Sequence, residues 1–376
     1  MTDYLLNEIN TPLLAWYDKG HRDLPWRRDR DAYRIWVSEI MLQQTRVEAV
    51  KPYYFRFMER FFDVSELAGA KEELLLKYWE GLGYYSRIRN MKKAAQIIVN
   101  QYNGILPDNW DELQKLPGIG SYTAGAIASI AYGQPVPAVD GNVLRIISRL
   151  RMDDALISDA SVKKRVEREL LESMSQIRPG DFNQAMMELG ATVCLPGGTP
   201  KCGECPWQEL CLAHISHCEM EFPKKAPKKK RVIEEKTVLV LKRGEMIAIH
   251  KRPESGLLAG MYELPMLNGR MKEKELLKRL KDIGILAIRI KYLGDAKHIF
   301  THKEWHMSGY AVLLDEWEDS RNKKAEGIED TEMSQGDYIF INPIETKERY
   351  PIPSAFSAYA KYLDIKLGNK RFTEDV

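Results

Sequence analysis

The sequence predicts a multidomain protein, an all-α region followed by a separate α+β domain, and three observations carry that prediction. Apolar residues recur at helical spacing through most of the first 192 residues, with short turns between the runs. Past Arg231 the texture changes to strand-like runs such as KTVLVLKRGEMIAIHKR and IRIKYLGDAKHIFTHKEWHMSGYAVLL. Between the two lies EFPKKAPKKKRV, whose six basic side chains and two prolines suit no packed element. The expected boundaries are a helical region at 1–220, a basic linker at 221–231 and a β-rich domain at 232–376. A chain of 376 residues is long enough for two or three cores, and no internal repeat is visible.

Taken in order, residues 4–18 alternate at helical spacing, and HRDLPWRRDRDAY is a charged loop around Trp26. YRIWVSEIMLQQTRVEAV, 33–50, reads as one helix with Trp36, Ile40 and Val47 on its buried stripe and Glu39, Gln43 and Arg46 on a second face. Helices are expected at about 50–61, 72–80, 88–102 and 110–115. GLGYYSR is a turn, and its Tyr84 and Tyr85 are either core aromatics or a wedge for a base stack. LPGIG then puts Gly118 and Gly120 before an apolar helix from Ser121, an arrangement that can turn backbone amides outward as an anion nest. Asp140 follows the Pro135 and Pro137 breaks and opens the next helix, where its ordinary role is an N-cap. Helices near 142–151, 161–177 and 181–192 complete the region, and KEKELLKRLKDIG is a charged amphipathic helix inside the β-rich domain.

Composition excludes some classes. The formal net charge is +2, so a nucleic-acid surface must come from clustering of the 56 basic residues. No run reaches eighteen apolar residues, which predicts no membrane span and an intracellular, cytoplasmic or nucleoid-associated protein. Four of the five cysteines crowd into Cys194-x7-Cys202-x2-Cys205-x5-Cys211, unlike a secreted disulfide framework. Such a tetrad suits structural zinc or a [4Fe–4S] cluster, and ligand chemistry alone does not choose.

LPGIG followed by VDGNVLR, with the cysteine tetrad, resembles the helix-hairpin-helix DNA glycosylase superfamily, and WVSEIMLQQT with the β-rich domain resembles its MutY-type adenine glycosylases. Where endonuclease III-like members carry an imine-forming lysine after the hairpin, this chain has Tyr122, and a phenol forms no imine. The first cysteine gap is seven residues against the usual six, and Pro196–Thr199 is a segment able to absorb the extra one. The resemblance covers nearly the whole chain. It implies an all-α helix-hairpin-helix core with a [4Fe–4S] loop held by Cys194, Cys202, Cys205 and Cys211, plus an α+β Nudix-like C-terminal domain. MYELP is reminiscent of that fold, but the following helix lacks the arginine and paired glutamates that bind magnesium in Nudix hydrolases, so recognition is expected there and not hydrolysis.

The activity implied is hydrolysis of the N-glycosidic bond of adenine mispaired with 8-oxoguanine or guanine in double-stranded DNA, by a monomer. Protonating adenine makes it a neutral leaving group and moves positive charge to the sugar, so the reaction calls for two carboxyl groups. The resemblance makes Glu39 the general acid and Asp140 the group that stabilises or traps the oxocarbenium centre, with Tyr122 and Asn142 in support. Glu39 is accordingly expected in a pocket that raises its pKa. Arg22, Trp26, Arg27 and Gln184 map toward the adenine pocket, Tyr84 to the wedge, Gln44, Thr45 and Leu82 to the opposite base, and Gly118 and Gly120 to phosphate. FTH at 300–302 resembles the Phe-Ser-His loop that reads 8-oxoguanine, with Thr301 in place of serine and His302 beside it. The alternatives are an endonuclease III-like or mismatch thymine glycosylase, and a catalytically silent lesion-binding protein.

Overall fold

Helices dominate the chain as far as Thr192 in the computed structural model, which describes residues 6, 8–227, 230–314 and 338–364. They are α1 (Asn10–Lys19), α2 (Ala32–Leu42), α3 (Val47–Arg60), α4 (Val64–Gly69), α5 (Glu72–Trp79), α6 (Ser86–Gln101), α7 (Trp110–Gln114), α8 (Ser121–Tyr132), α9 (Gly141–Arg151), α10 (Ala160–Ser173) and α11 (Pro179–Thr192). Contacts divide the chain into two units, residues 1–70 with 86–228 and residues 71–85 with 229–376. The segment 71–85, read above as part of the helical region, therefore groups with the β-rich unit.

In the first unit one apolar core joins Ile9, Leu13 and Tyr17 of α1 to α9, α10 and α11, and the cysteine loop packs against it through Trp207. The Trp207 indole N–H donates to the Ile9 carbonyl at 3.0 Å, which fastens that loop to α1. The helices start where short polar side chains take up free amides, as Asp31 does for Arg34 N–H, Asp63 for Ser65 and Glu66 N–H, and Asp140 for Asn142 and Val143 N–H. α4 was not expected from its six residues. The helix expected over 33–50 is broken: α2 ends at Leu42, Gln44 takes a left-handed φ of +57°, and α3 begins at Val47. Arg87 explains the stop. Its buried guanidinium reaches from α6 to the carbonyls of Ile40 (2.7 Å), Met41 (3.1 Å) and Gln43 (2.7 Å), satisfying the acceptors that a further turn of helix would have used. Glu39, Gln43 and Arg46 thus share no helix face.

The expected linker is anchored at its start. Phe222 is buried, its carbonyl accepts from Arg149 Nε at 3.1 Å, and the Lys224 carbonyl accepts from Ile157 N–H at 3.2 Å. Lys228 and Lys229 lie outside the described residues, as do 315–337 and 365–376 of the expected C-terminal domain and positions 4, 5 and 7 of the expected first helix.

The second unit is built on a mixed sheet of β1 (Val232–Arg243), β2 (Met246–Lys251), β3 (Tyr262–Glu263), β4 (Met266–Asn268), β5 (Ala287–Ile299), β6 (Lys303–Leu314) and β7 (Tyr338–Ile341). The strand order is β3-β2-β1-β6-β5, with β4 paired to β1 and β7 to β2. Only β1 and β6 run parallel among these pairs. The VLVL run of β1 is apolar without alternation because both faces are covered. Val238 and Val240 face a core with Trp305, Phe356 and Tyr359, and Leu239 and Leu241 face Leu276 and Leu280 of α12 (Glu273–Asp282). The segment 71–85 joins this unit by hydrogen bonds from Lys77 Nζ to the Thr346 carbonyl (2.7 Å) and from Ile352 N–H to Glu80 Oε1 (2.9 Å).

Candidate active site

Three elements of the first unit bring the expected acids together. Glu39 lies on α2, in a helix buried from Ile35 to Met41, and is 5 % exposed. Tyr122, in the first turn of α8, donates its hydroxyl to Glu39 Oε2 at 2.7 Å. Burial pushes the Glu39 carboxyl up to about 7; the Tyr122 bond opposes that rise, the charge of Asp140 adds to it, and Arg27 opposes it. Tyr122 itself is pushed well above the usual phenol range, first by burial and then by the two carboxylates, so it remains a donor. A carboxyl poised near neutrality can deliver a proton at physiological pH, which is the environment expected for Glu39.

Asp140 is the N-cap of α9, and the cap also orients it. Oδ1 accepts from Asn142 N–H (2.8 Å) and Val143 N–H (2.9 Å), and Oδ2 accepts from Asn142 Nδ2 (2.7 Å). Asn142 Oδ1 in turn accepts from Arg145 Nη1 at 3.0 Å, and Arg145 Nη2 donates to the carbonyls of Gly190 and Cys194, both at 2.8 Å. One helix turn on, Arg149 Nη1 donates to Cys194 Sγ at 3.2 Å. The close approach of α9 and α11 here needs a glycine at 190, where a Cβ would stand 2.9 Å from Asn142 Cβ.

Cys194, Cys202, Cys205 and Cys211 line one largely apolar cavity with Ile146, Leu189 and Trp207. Burial pushes the Cys205 thiol up to about 12, so binding a metal through its sulfur releases a proton. Cys202, His214 and Glu219 also present ligand atoms within 4.8 Å of one another, but His214 Nδ1 and Glu219 Oε1 are bonded to each other at 2.6 Å. Sulfur donors on several sides of an apolar cavity fit an iron–sulfur cluster.

Arg22 and Arg27 meet at Glu188 of α11, an acid that sequence reasoning missed. Arg22 Nε and Nη2 form a fork to Glu188 Oε1 (2.7 Å) and Oε2 (2.9 Å), and Arg27 Nη1 donates to Oε2 at 2.8 Å. The available signal was the spacing of Gln184 and Glu188, i and i+4 on one helix. Gln184 is half-buried, and Trp26 is buried edge-on against Tyr54. Gln43 Nε2 lies 3.5 Å from Thr123 Oγ1, while Gln44 and Thr45 occupy the break after α2. In the hairpin Gly118 takes φ +79° and its missing Cβ leaves room for Asn90, whereas Gly120 is extended and caps α8 with no side-chain bond. Only the first of the two glycines is required by its backbone angle.

In the second unit Tyr84 is 44 % exposed and held at φ +48° between Gly83 and Tyr85, an angle rare for an aromatic residue. Leu82 is instead buried, at 6 % exposed, so its side chain is not displayed at the surface. Thr301 and His302 form the exposed turn between β5 and β6, closed by Phe300 N–H to the Lys303 carbonyl at 2.8 Å. Phe300 packs on Trp305 with ring centroids 4.9 Å apart, and the hydroxyls of Tyr84 and Thr301 are 3.3 Å apart.

A buried acid near neutrality, a helix-capping carboxylate whose charge reaches it and a hairpin opening the intervening helix define a class, the base-excision glycosylases. The family of HhH-GPD superfamily base excision DNA repair proteins matches residues 37–176, the iron-sulfur binding domain of endonuclease III matches 198–211, and the NUDIX domain matches 237–362. The thermostable thymine-DNA glycosylase structure superposes with a TM-score of 0.51 at 26% identity, over 57% of this chain and 99% of that one. Adenine DNA glycosylase of Mus musculus is 38% identical across 81% of this chain and 70% of its own length. That of Buchnera aphidicola from Acyrthosiphon pisum is 34% identical across 84% of this chain and 88% of its own. The chain belongs to the adenine DNA glycosylase family. It is a DNA glycosylase with a helix-hairpin-helix core, a [4Fe–4S] cluster and a C-terminal Nudix domain. Among the described residues no helix is long and apolar enough to cross a membrane.

The cluster carries its own expectation. Protein prepared without oxygen should be yellow-brown and hold about four irons per chain, as the cluster type requires. Metal analysis that returns one zinc and no iron would contradict it.

Proposed function

We propose that this glycosylase releases adenine mispaired with 8-oxoguanine, and with guanine, without cleaving the strand. The observation that carries the reading is the buried Glu39, held at about 7 with Tyr122 on one oxygen and the charge of Asp140 nearby. A carboxyl that still holds a proton in much of the protein at neutral pH suits protonation of a base, and a second one fixed by amide donors suits a cationic sugar. Glu39 protonates adenine and later assists water. Asp140 stabilises or captures the oxocarbenium centre, oriented by Asn142. Cys194, Cys202, Cys205 and Cys211 hold the cluster, which when bound cross-links the loop to the end of α11. Arg22, Trp26, Arg27 and Gln184 receive the extruded adenine. Tyr84 fills the stack, the amides after Gly118 and at Gly120 take a phosphate, and Gln44 and Thr45 lie toward the opposite base. Nothing supports a Schiff base, since Tyr122 occupies the hairpin position where an imine would need lysine. Double-stranded DNA containing the adenine·8-oxoguanine or adenine·guanine mispair is the substrate, and the protein acts as a monomer.

The test is a duplex panel with adenine opposite 8-oxoguanine, guanine and thymine, run with and without alkali. Adenine release from the first two, with strand breaks only after alkali, supports the reading; thymine release or alkali-independent nicking moves the protein to the thymine or endonuclease III-like class. Within the panel, Thr301→Ala with His302→Ala should narrow the preference for 8-oxoguanine over guanine. A lost polar contact to a base edge is worth about 1–3 kcal/mol, or roughly fivefold to 150-fold. A threonine hydroxyl can contact the N7 hydrogen or O8 of the oxidised base. An unchanged preference in single-turnover and binding assays would give the turn another role.

A further inference from the structure

The buried acid of α11 has no part in the chemistry so far described. Glu188 is 2 % exposed, and its carboxylate accepts from the two arginines of the adenine pocket. Oε1 accepts from Arg22 Nε (2.7 Å) and from the Arg22 backbone N–H (3.3 Å), while Oε2 accepts from Arg22 Nη2 (2.9 Å) and Arg27 Nη1 (2.8 Å). Arg27 is further tied to the Arg22 carbonyl at 3.3 Å, and its guanidinium lies 5.8 Å over the ring of Tyr17. Both arginines therefore have their orientation set by one carboxylate.

We infer that Glu188 is a positioning residue, which fixes Arg22 and Arg27 at the adenine pocket and cancels one of their two charges where the leaving base gains its proton. The inference rests on the adenine pocket proposed above. Two guanidinium groups and one carboxylate leave a single positive charge; without the acid there are two, both aimed at a site that must accept a proton. The groups that face Glu39 are Tyr122 from α8, Asp140 at the start of α9 and Arg27 from the turn at 25–27, and Arg27 pulls the Glu39 carboxyl down. Around Glu188, Tyr17 stays neutral because burial pushes it up to about 12. Burial by itself would raise Glu188, yet its two arginines hold it below the usual carboxylate range, so it is an anion where Glu39 delivers its proton. An unscreened Arg27 would acidify Glu39 and oppose a cationic transition state.

Glu188→Gln in the full-length, cluster-loaded protein tests this through single-turnover adenine release from about pH 5 to about pH 9. The rate should fall about tenfold or more, and the alkaline limb should move to lower pH, while mispair affinity stays within about threefold because added positive charge does not weaken phosphate binding. An unmoved limb in a variant with the parent's melting temperature and visible band overturns the inference and leaves a structural ion pair. Should that variant not fold, Glu188→Asp decides. One methylene shorter, it keeps the charge but cannot reach both guanidinium groups, so the rate should drop several-fold with the limb in place; a rate within about twofold of the parent overturns the inference. A parent protein that releases no adenine removes the underlying reading and this one with it, whereas normal release by the parent with an indifferent Glu188→Gln removes only this one.

Discussion

Asp140→Asn is expected to slow base release about a hundredfold or more, the usual loss when a charge aimed at a developing opposite charge is removed from a buried site. The substitution separates that role from capping. Asparagine caps a helix as well as aspartate, so α9 should keep its start and the protein its melting temperature. The new amide nitrogen, however, either meets Asn142 Nδ2, which now donates to Asp140 Oδ2 at 2.7 Å, or displaces the oxygen that holds the Asn142 and Val143 N–H groups. Asn142 cannot simply turn over, because its oxygen accepts from Arg145. Asp140→Ala, by contrast, should also cost about 1 kcal/mol of stability through the lost cap. If Asp140→Asn releases base at a near-normal rate while Asp140→Ala only melts earlier, the carboxylate is a cap and nothing more.

Glu39→Gln should abolish proton delivery and at the same time stabilise the fold. The folded protein holds the proton on Glu39 up to about pH 7, whereas the unfolded chain releases it near the ordinary value of 4.5. Between those values the folded state binds more protons than the unfolded one, so stability falls as pH rises through that window. The destabilisation is complete above it, at about 3 kcal/mol for the difference between the two values. A neutral amide of the same shape escapes this cost, and its carbonyl can still accept from Tyr122. Melting curves for the variant and its parent should therefore coincide near pH 4.5 and separate toward pH 8, with the inactive variant the more stable. A parent as stable as the variant at pH 8, or a variant that still releases adenine, would show that Glu39 is not a buried acid held protonated. In the active parent the rate of release should decline above about pH 7, where Glu39 loses its proton.

Much of this site could be read in the chain because its signals are local. Gly118 precedes a small apolar helix, Asp140 precedes a helix after two prolines, and the cysteines lie within one loop. The helix break after Leu42 was not legible, because the residue that stops it, Arg87, comes from another helix and reads as one more surface arginine. Periodicity continued straight through 43–46, since alternation of apolar residues does not report which carbonyls are satisfied from outside. Glu188 was hidden for the same reason: it sits 166 residues from Arg22 and 161 from Arg27, and nothing beside it marks it as buried. The burial of Leu82, a residue that the resemblance carries toward the opposite base, was equally hidden, because a glycine-flanked turn does not show which way its apolar residue packs.

The membership of 71–85 in the second unit bears on how the protein is made. This segment leaves the ribosome before the strands it joins, which begin at Val232, after all of 86–228 has been synthesised. At ordinary elongation rates the interval is on the order of ten seconds, long enough for the first unit to fold around the excursion. Lengthening a flexible loop costs little, about 0.6 kcal/mol for each doubling, so the first unit can close from Ala70 to Ser86 while α5 waits. The stretch that displays Tyr84 is thus translated before most of the first unit and finds its place only after the second unit has been made.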